Sequence, residues 1–217
     1  LDPASDAQLE NLAKIVRREE LNLVCLSIRA SAYANQADII TTYLHNSLDI
    51  PVLWGGMHPT MMSDDCIQRT DMVLKGEGEL ALLDFVRNLK TGDLDRIYSS
   101  PNVWFRTSNR RRSEDSQKSA ILASQQDPDA PHLAAQASAK RFDKKEIIKN
   151  PLRALVQNLD DLSFRDYTSH DDKYFIYGNS YIQGDPMHGD PVFQMMGSRG
   201  CIYKCSYCYN STYKSDV

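Results

Sequence analysis

The chain has 217 residues, 41% of them hydrophobic, which is enough to bury a core and excludes disorder throughout. Its 29 acidic residues outweigh 25 basic ones, and the net charge of −4 offers no whole-chain footprint for nucleic acid or an anionic membrane. No apolar run approaches the roughly 20 residues that span a bilayer, and the start lacks the order of a secretory signal, so a soluble, cytoplasmic protein is expected.

Ser5 and Gln8 form a capping-box pattern, and Leu9, Leu12, Ala13 and Val16 follow at helical spacing. Leu21 to Ile28 is nearly continuously apolar, as in a strand buried on both faces of a parallel sheet. Ile40, Tyr43, Leu44 and Leu48 mark a second helix. Residues 51–54 and 72–74 read as strands that stop at Gly55-Gly56 and at Gly76-Glu77-Gly78-Glu79. Leu82, Phe85, Val86 and Leu89 predict another helix, with Gly92 as its C-cap.

Strands alternating with helices in this way imply an α/β fold, a Rossmann-like parallel sheet whose ligands sit at the carboxyl ends of the strands. A short strand pair is expected around Ile97-Tyr98 and Val103 to Phe105. Residues 107–140 lack aromatics and are rich in Ser, Gln, Ala and Asp, the composition of a disordered insertion. Its Arg110-Arg111-Arg112 cluster is read as a solvated charge run and assigned no function. Leu152, Leu155, Val156 and Leu159 suggest a short helix, a polar stretch follows, and Val192 to Met196 reads as a strand closed by Gly197 to Gly200.

The five cysteines are an odd number, and Cys201, Cys205 and Cys208 fall within eight positions. That pattern suits a metal site in a reduced compartment better than a disulfide framework. Cys25 and Cys66 are expected to be inert. Zinc usually takes four protein ligands in two separated pairs, and no second pair accompanies this loop; the nearest histidine is His188. Three thiolates on a four-iron cluster leave one iron open to a substrate or cofactor, which implies chemistry rather than electron storage.

The spacing of Cys201, Cys205 and Cys208, with Tyr207 before the last cysteine, resembles the signature of the radical S-adenosylmethionine superfamily. Met196-Gly197-Ser198-Arg199-Gly200 resembles the end of that superfamily's first barrel strand. The resemblance implies a four-iron four-sulfur cluster on the three cysteines, S-adenosylmethionine on the open iron with Tyr207 near its adenine, and formation of a 5′-deoxyadenosyl radical. A small-molecule substrate and a reductant such as flavodoxin or ferredoxin are implied with it, and oxygen sensitivity follows from an exposed cluster.

Gly55-Gly56-Met57-His58-Pro59-Thr60 and Gly76-Glu77-Gly78-Glu79 resemble paired segments of the cobalamin-binding-like domain that precedes many such enzymes. The resemblance implies that Ser27, Gly55, Gly56, Gly76 and Gly78 lie against a corrinoid. On the residues alone, these glycines serve either a flat ligand or tight strand-to-helix turns. His58 reads as a capping or packing residue, and Glu77 and Glu79 as caps or contacts to the connector. The Asp-x-His-x-x-Gly pattern that supplies a lower axial histidine in some cobalamin proteins is absent from the sequence.

The expected organisation is a partial cobalamin-binding-like domain over residues 1–92, a connector with the insertion over 93–150, and over 151–217 a linker, the first strand and the cluster loop of a partial (β/α) barrel. The chain reads as a piece cut at both ends, inactive alone, from a cobalamin-dependent methyl-transferring or rearranging enzyme. The rivals are a radical methylthiotransferase, which needs further cluster cysteines in its front domain, and a non-catalytic corrinoid- or metal-binding module.

Overall fold

The computed structural model describes residues 4–106, 147–163, 173–185, 199–203 and 205–208. Helix α1 (Asp6–Arg18) begins where the capping box places it: Ser5 Oγ accepts the Gln8 N–H at 3.3 Å, and Gln8 Oε1 accepts the Ser5 N–H at 3.0 Å. Asp6 in its first turn and Arg17 and Arg18 in its last complement the helix dipole. Then come β1 (Val24–Ser27), α2 (Ala34–Leu48), β2 (Val52–Gly55), the short helices α3 (Met57–Met61) and α4 (Ser63–Cys66), β3 (Met72–Leu74), and α5 (Glu79–Thr91) ended by Gly92 at φ 68°. Helix α6 (Leu94–Tyr98), β4 (Val103–Arg106) and β5 (Ile147–Lys149) complete this unit.

The strands form one five-stranded sheet in the order β1-β2-β3-β4-β5. β1, β2 and β3 are parallel, whereas β4 and β5 pair antiparallel, so the sheet is mixed and continues past residue 92. Alternate side chains feed two cores, as the pleat requires. Val52, Trp54, Val73 and Trp104 pack with Val16, Ala37, Leu44 and Ile67 on one face; Leu53, Met72, Leu74, Val103 and Phe105 pack with Ala81, Phe85 and Ile97 on the other. Trp54 is fully buried and donates its indole N–H to Thr41 Oγ1 at 2.8 Å, so its truncation removes about 3–5 kcal/mol of packing.

Three expectations are corrected, and a hairpin is added. β1 is not buried on both faces: Val24 and Leu26 pack inward, while Cys25 and Ser27 are exposed, because α5 and α6 cover β2 to β4 and stop short of β1. Ile97 and Tyr98 lie in α6, where Asp93 Oδ1 caps the N–H groups of Asp95 and Arg96, and β5 is the strand that pairs with β4. Residues 152–158 form no helix; they are irregular, with backbone N–H groups of Arg153 and Val156 bonded to Asn102 and Glu77, and Leu159–Asp161 makes a 3₁₀ turn. Within the polar stretch, β6 (Tyr174–Tyr177) and β7 (Ser180–Gln183) form a hairpin around Gly178-Asn179.

The hairpin docks on α1. Gln8 Nε2 donates to Gly178 O at 2.7 Å and Asn11 Nδ2 to Asn179 O at 2.9 Å, while the Arg18 guanidinium stacks over the Tyr174 ring. The expected insertion at 107–140 and strand at 192–196 lie outside the described residues, as does His188.

Candidate cofactor and metal sites at the strand ends

The carboxyl ends of β1, β2 and β3 gather the residues that the sequence singles out. Ser27 and Gly55 are register partners across β1 and β2. Gly56 takes φ 95°, and a Cβ there would lie 3.0 Å from Ile28 O and 3.2 Å from Ser27 Oγ. The missing side chain therefore lets the turn press against β1, where Ile28 N–H donates to Gly55 O at 2.8 Å and His58 N–H to Ile28 O at 3.0 Å. Gly56 needs no ligand to account for it. Gly55 and Gly78 have room for a Cβ, with neighbours no nearer than 3.9 and 3.7 Å. Gly76 has φ 87° and donates its N–H to Thr60 Oγ1 at 3.1 Å, linking the two glycine turns.

Glu77 joins this end of the sheet to the segments that follow. Its Oε2 accepts the Val156 N–H at 2.9 Å, and its Oε1 accepts Arg199 Nη1 at 2.9 Å. Glu79 takes the other arm of the same guanidinium. Desolvation works against the charge of Arg199, but hydrogen bonds to Glu77 and Glu79 and their negative charges outweigh it and raise its pKa. Glu77, read from the sequence as a cap or a contact to the connector, bonds to Val156 and Arg199 in the segment after residue 150.

Asn102 ties the turn after β3 to the segment that begins near Arg153. It is buried at φ 67°, donates Nδ2 to Lys75 O at 2.7 Å, and accepts the Arg153 N–H on Oδ1 at 2.8 Å. Arg153 also pairs with Asp84 on α5. A cavity of about 10 Å³ lies between α5 and the connector, lined by Glu77, Ala81, Asn102, Arg153 and Leu155 among others, room for a single water. Asn102 and Arg153 escaped the sequence reading, and Arg199 entered it only as part of a strand end; Asn102 in Ser100-Pro101-Asn102 carried a turn signal, but the partners of all three are distant in sequence.

Cys201, Cys205 and Cys208 are half-buried, and Cys208 N–H donates to Cys205 O at 3.0 Å in a tight turn. Around them Ile202, Tyr203 and Tyr207 are 85%, 68% and 90% exposed. The donor set is of the right chemistry for iron, three cysteines on one short loop. Among the described residues, however, the trio of His, Cys, Asp or Glu ligand atoms that lies mutually within 4.8 Å is His58, Asp65 and Cys66, not these three sulfurs. The structure thus groups Ser27, Gly55, Gly56, Gly76 and Gly78 at the carboxyl ends of β1 to β3 and ties Arg199, two residues before Cys201, to the same end of the sheet.

No helix among the described residues is long and apolar enough to cross a membrane. Comparison with protein-family models, with curated proteins and with solved structures gives no match.

Proposed function

We propose that this chain serves as the cluster-binding front portion of a radical S-adenosylmethionine enzyme, with Cys201, Cys205 and Cys208 holding a four-iron four-sulfur cluster. The observation that carries the reading is the spacing of those cysteines, which supplies three thiolates and leaves one iron without a protein ligand. The half-buried state of all three and the turn between Cys205 and Cys208 support it. When bound, the cluster and S-adenosylmethionine supply a radical able to take hydrogen from an unactivated carbon of a small-molecule substrate, with flavodoxin or ferredoxin as the electron source.

The chain's own residues do the positioning. Arg199, clamped by Glu77 and Glu79, holds the start of the cysteine loop against the glycine turns. Tyr207, almost fully exposed, is free to stack on an adenine. Ser27, Gly55, Gly56, Gly76 and Gly78 are the residues that would lie along a corrinoid, and the register pairing of Ser27 with Gly55 and the bond from Gly76 to Thr60, which bring the two glycine turns together, support that part of the reading. The methylthiotransferase alternative is disfavoured, because its extra cluster would have to use Cys25 on β1 and Cys66 on α4.

The test is electron paramagnetic resonance of the anaerobically reconstituted, dithionite-reduced protein. Adding S-adenosylmethionine should change the cluster signal; a signal indifferent to S-adenosylmethionine contradicts the open-iron reading. Corrinoid binding is read separately, from visible absorbance retained after incubation with hydroxocobalamin and gel filtration.

A further inference from the structure

His58 sits on α3 in a position that the turn before it dictates. Gly56 presses the chain onto β1, and the His58 N–H is anchored on Ile28 O at 3.0 Å. The ring is then buried, 7% exposed, and its Nδ1 shares a hydrogen bond of 3.0 Å with Ser31 Oγ. Its Nε2 is buried and has no hydrogen-bond partner among the described residues. An unmatched buried polar atom of this kind costs about 1–3 kcal/mol, so it asks for an explanation.

The residues next to it supply one. Cys66, at the end of α4, is fully buried, and Asp65 beside it is exposed. One ligand atom from each of His58, Asp65 and Cys66 lies within 4.8 Å of the other two. We propose that His58 Nε2, Cys66 Sγ and an Asp65 carboxylate oxygen form a metal site for a borderline-soft divalent cation such as zinc, separate from the cysteine loop.

The donor chemistry fits that class of ion. Imidazole, thiolate and carboxylate are the three zinc ligands, and three of them with a water make the usual open tetrahedral site. Bonds of about 2.0–2.3 Å hold donors roughly 3.5 Å apart, so the trio has to draw in by roughly 1 Å. The exposed Asp65 carboxylate can make that movement, giving up its ion pair with Arg69, and it opens the route for the ion. Ser31 plays the part that an outer hydrogen-bond partner plays at metal-bound histidines: it fixes the ring so that Nε2 faces the ion. On binding, the Cys66 proton leaves to solvent, and thiolate plus carboxylate balance the charge of the dication. Burial pushes the unliganded Cys66 thiol up to about 12, with the Asp65 charge adding to the effect and Arg69 opposing it.

The experiment uses the full chain carrying C201A, C205A and C208A, so that no loop thiolate can answer for the site, and titrates it anaerobically with cobalt(II) as a spectroscopic stand-in. One equivalent should give a thiolate-to-cobalt charge-transfer band that zinc displaces. Cys66→Ser should abolish the band, and Ser31→Ala should weaken cobalt binding about 10- to 100-fold. No band in the loop-cysteine variant, or a band that survives Cys66→Ser, overturns the proposal. Should Cys66→Ser fail to fold by circular dichroism, the exposed Asp65→Asn and Ser31→Ala variants decide: cobalt affinity unchanged in both overturns the site, and a loss in either supports it. Because the loop cysteines are absent throughout, failure here leaves the reading of the cysteine loop untouched.

Discussion

Arg199 and Glu77, 122 positions apart, are joined by a hydrogen bond of 2.9 Å that fixes the approach to the cysteine loop on the turn after β3. Glu77 also accepts the Val156 N–H, so its removal should cost more than removal of Arg199. Glu77→Ala is expected to lower unfolding free energy by about 1–2 kcal/mol in urea, and Arg199→Ala by less than about 1 kcal/mol, since the ion pairs are partly solvated. Limited proteolysis should cut near residue 199 faster in both variants. Equal denaturation costs would mean that the Val156 bond contributes nothing.

Gly56 and Gly78 separate a structural use of glycine from the ligand-binding use proposed above. Gly56→Ala puts a Cβ 3.0 Å from Ile28 O at φ 95° and should destabilise the sheet by about 2 kcal/mol or more, measured by thermal unfolding. Gly78→Ala meets only Leu74 Cδ2 at 3.7 Å, with φ −88°, and should leave stability unchanged or raise it by up to about 1 kcal/mol. If a corrinoid lies along this edge, Gly78→Ala should reduce hydroxocobalamin retention without loss of fold.

Asn102 combines a left-handed backbone with two side-chain bonds to different segments. Asn102→Ala should cost about 2–4 kcal/mol, from strain and from leaving Lys75 O and the Arg153 N–H unmatched. Asn102→Gly relieves only the strain and should recover part of that loss. A glycine variant no more stable than the alanine one would remove strain from the account.

Burial holds the Tyr181 phenol on β7 above its ordinary value of 10. The folded-state pKa then exceeds the unfolded one, so this contribution to stability is complete below about pH 10 and is lost as pH rises through the folded value. Stability should therefore fall more steeply above about pH 10 in the native chain than in Tyr181→Phe; parallel profiles would show that Tyr181 ionises as freely in the hairpin as in the unfolded chain.

What the sequence made legible was local. Ser5 and Gln8 announce α1 because a capping box is closed within four residues, and the apolar runs ending in Gly55-Gly56 and Gly76 announce β2 and β3 because turn chemistry is local too. The irregular path of residues 152–158 was not legible: their apolar spacing suits a helix, but Asn102 and Glu77 claim the backbone N–H groups of Arg153 and Val156. The exposure of β1 was hidden for a similar reason, since which helix covers which strand depends on the crossover of α5. The hairpin at Gly178-Asn179 carried a readable signal, alternating Tyr, Phe and Ile about a Gly-Asn turn, that the polar flanks obscured. The pairing of His58 with Cys66 needed the α3–α4 turn, because a lone histidine and a lone cysteine carry no ligand spacing.

The central claim is that three thiolates on one loop carry the cluster. Anaerobic reconstitution with iron and sulfide, followed by iron and sulfide analysis and Mössbauer spectroscopy, tests it most directly. The account expects a four-iron four-sulfur cluster in the native chain and none in the C201A/C205A/C208A variant; the same cluster retained by that variant, or zinc held by the loop in place of iron, would contradict it.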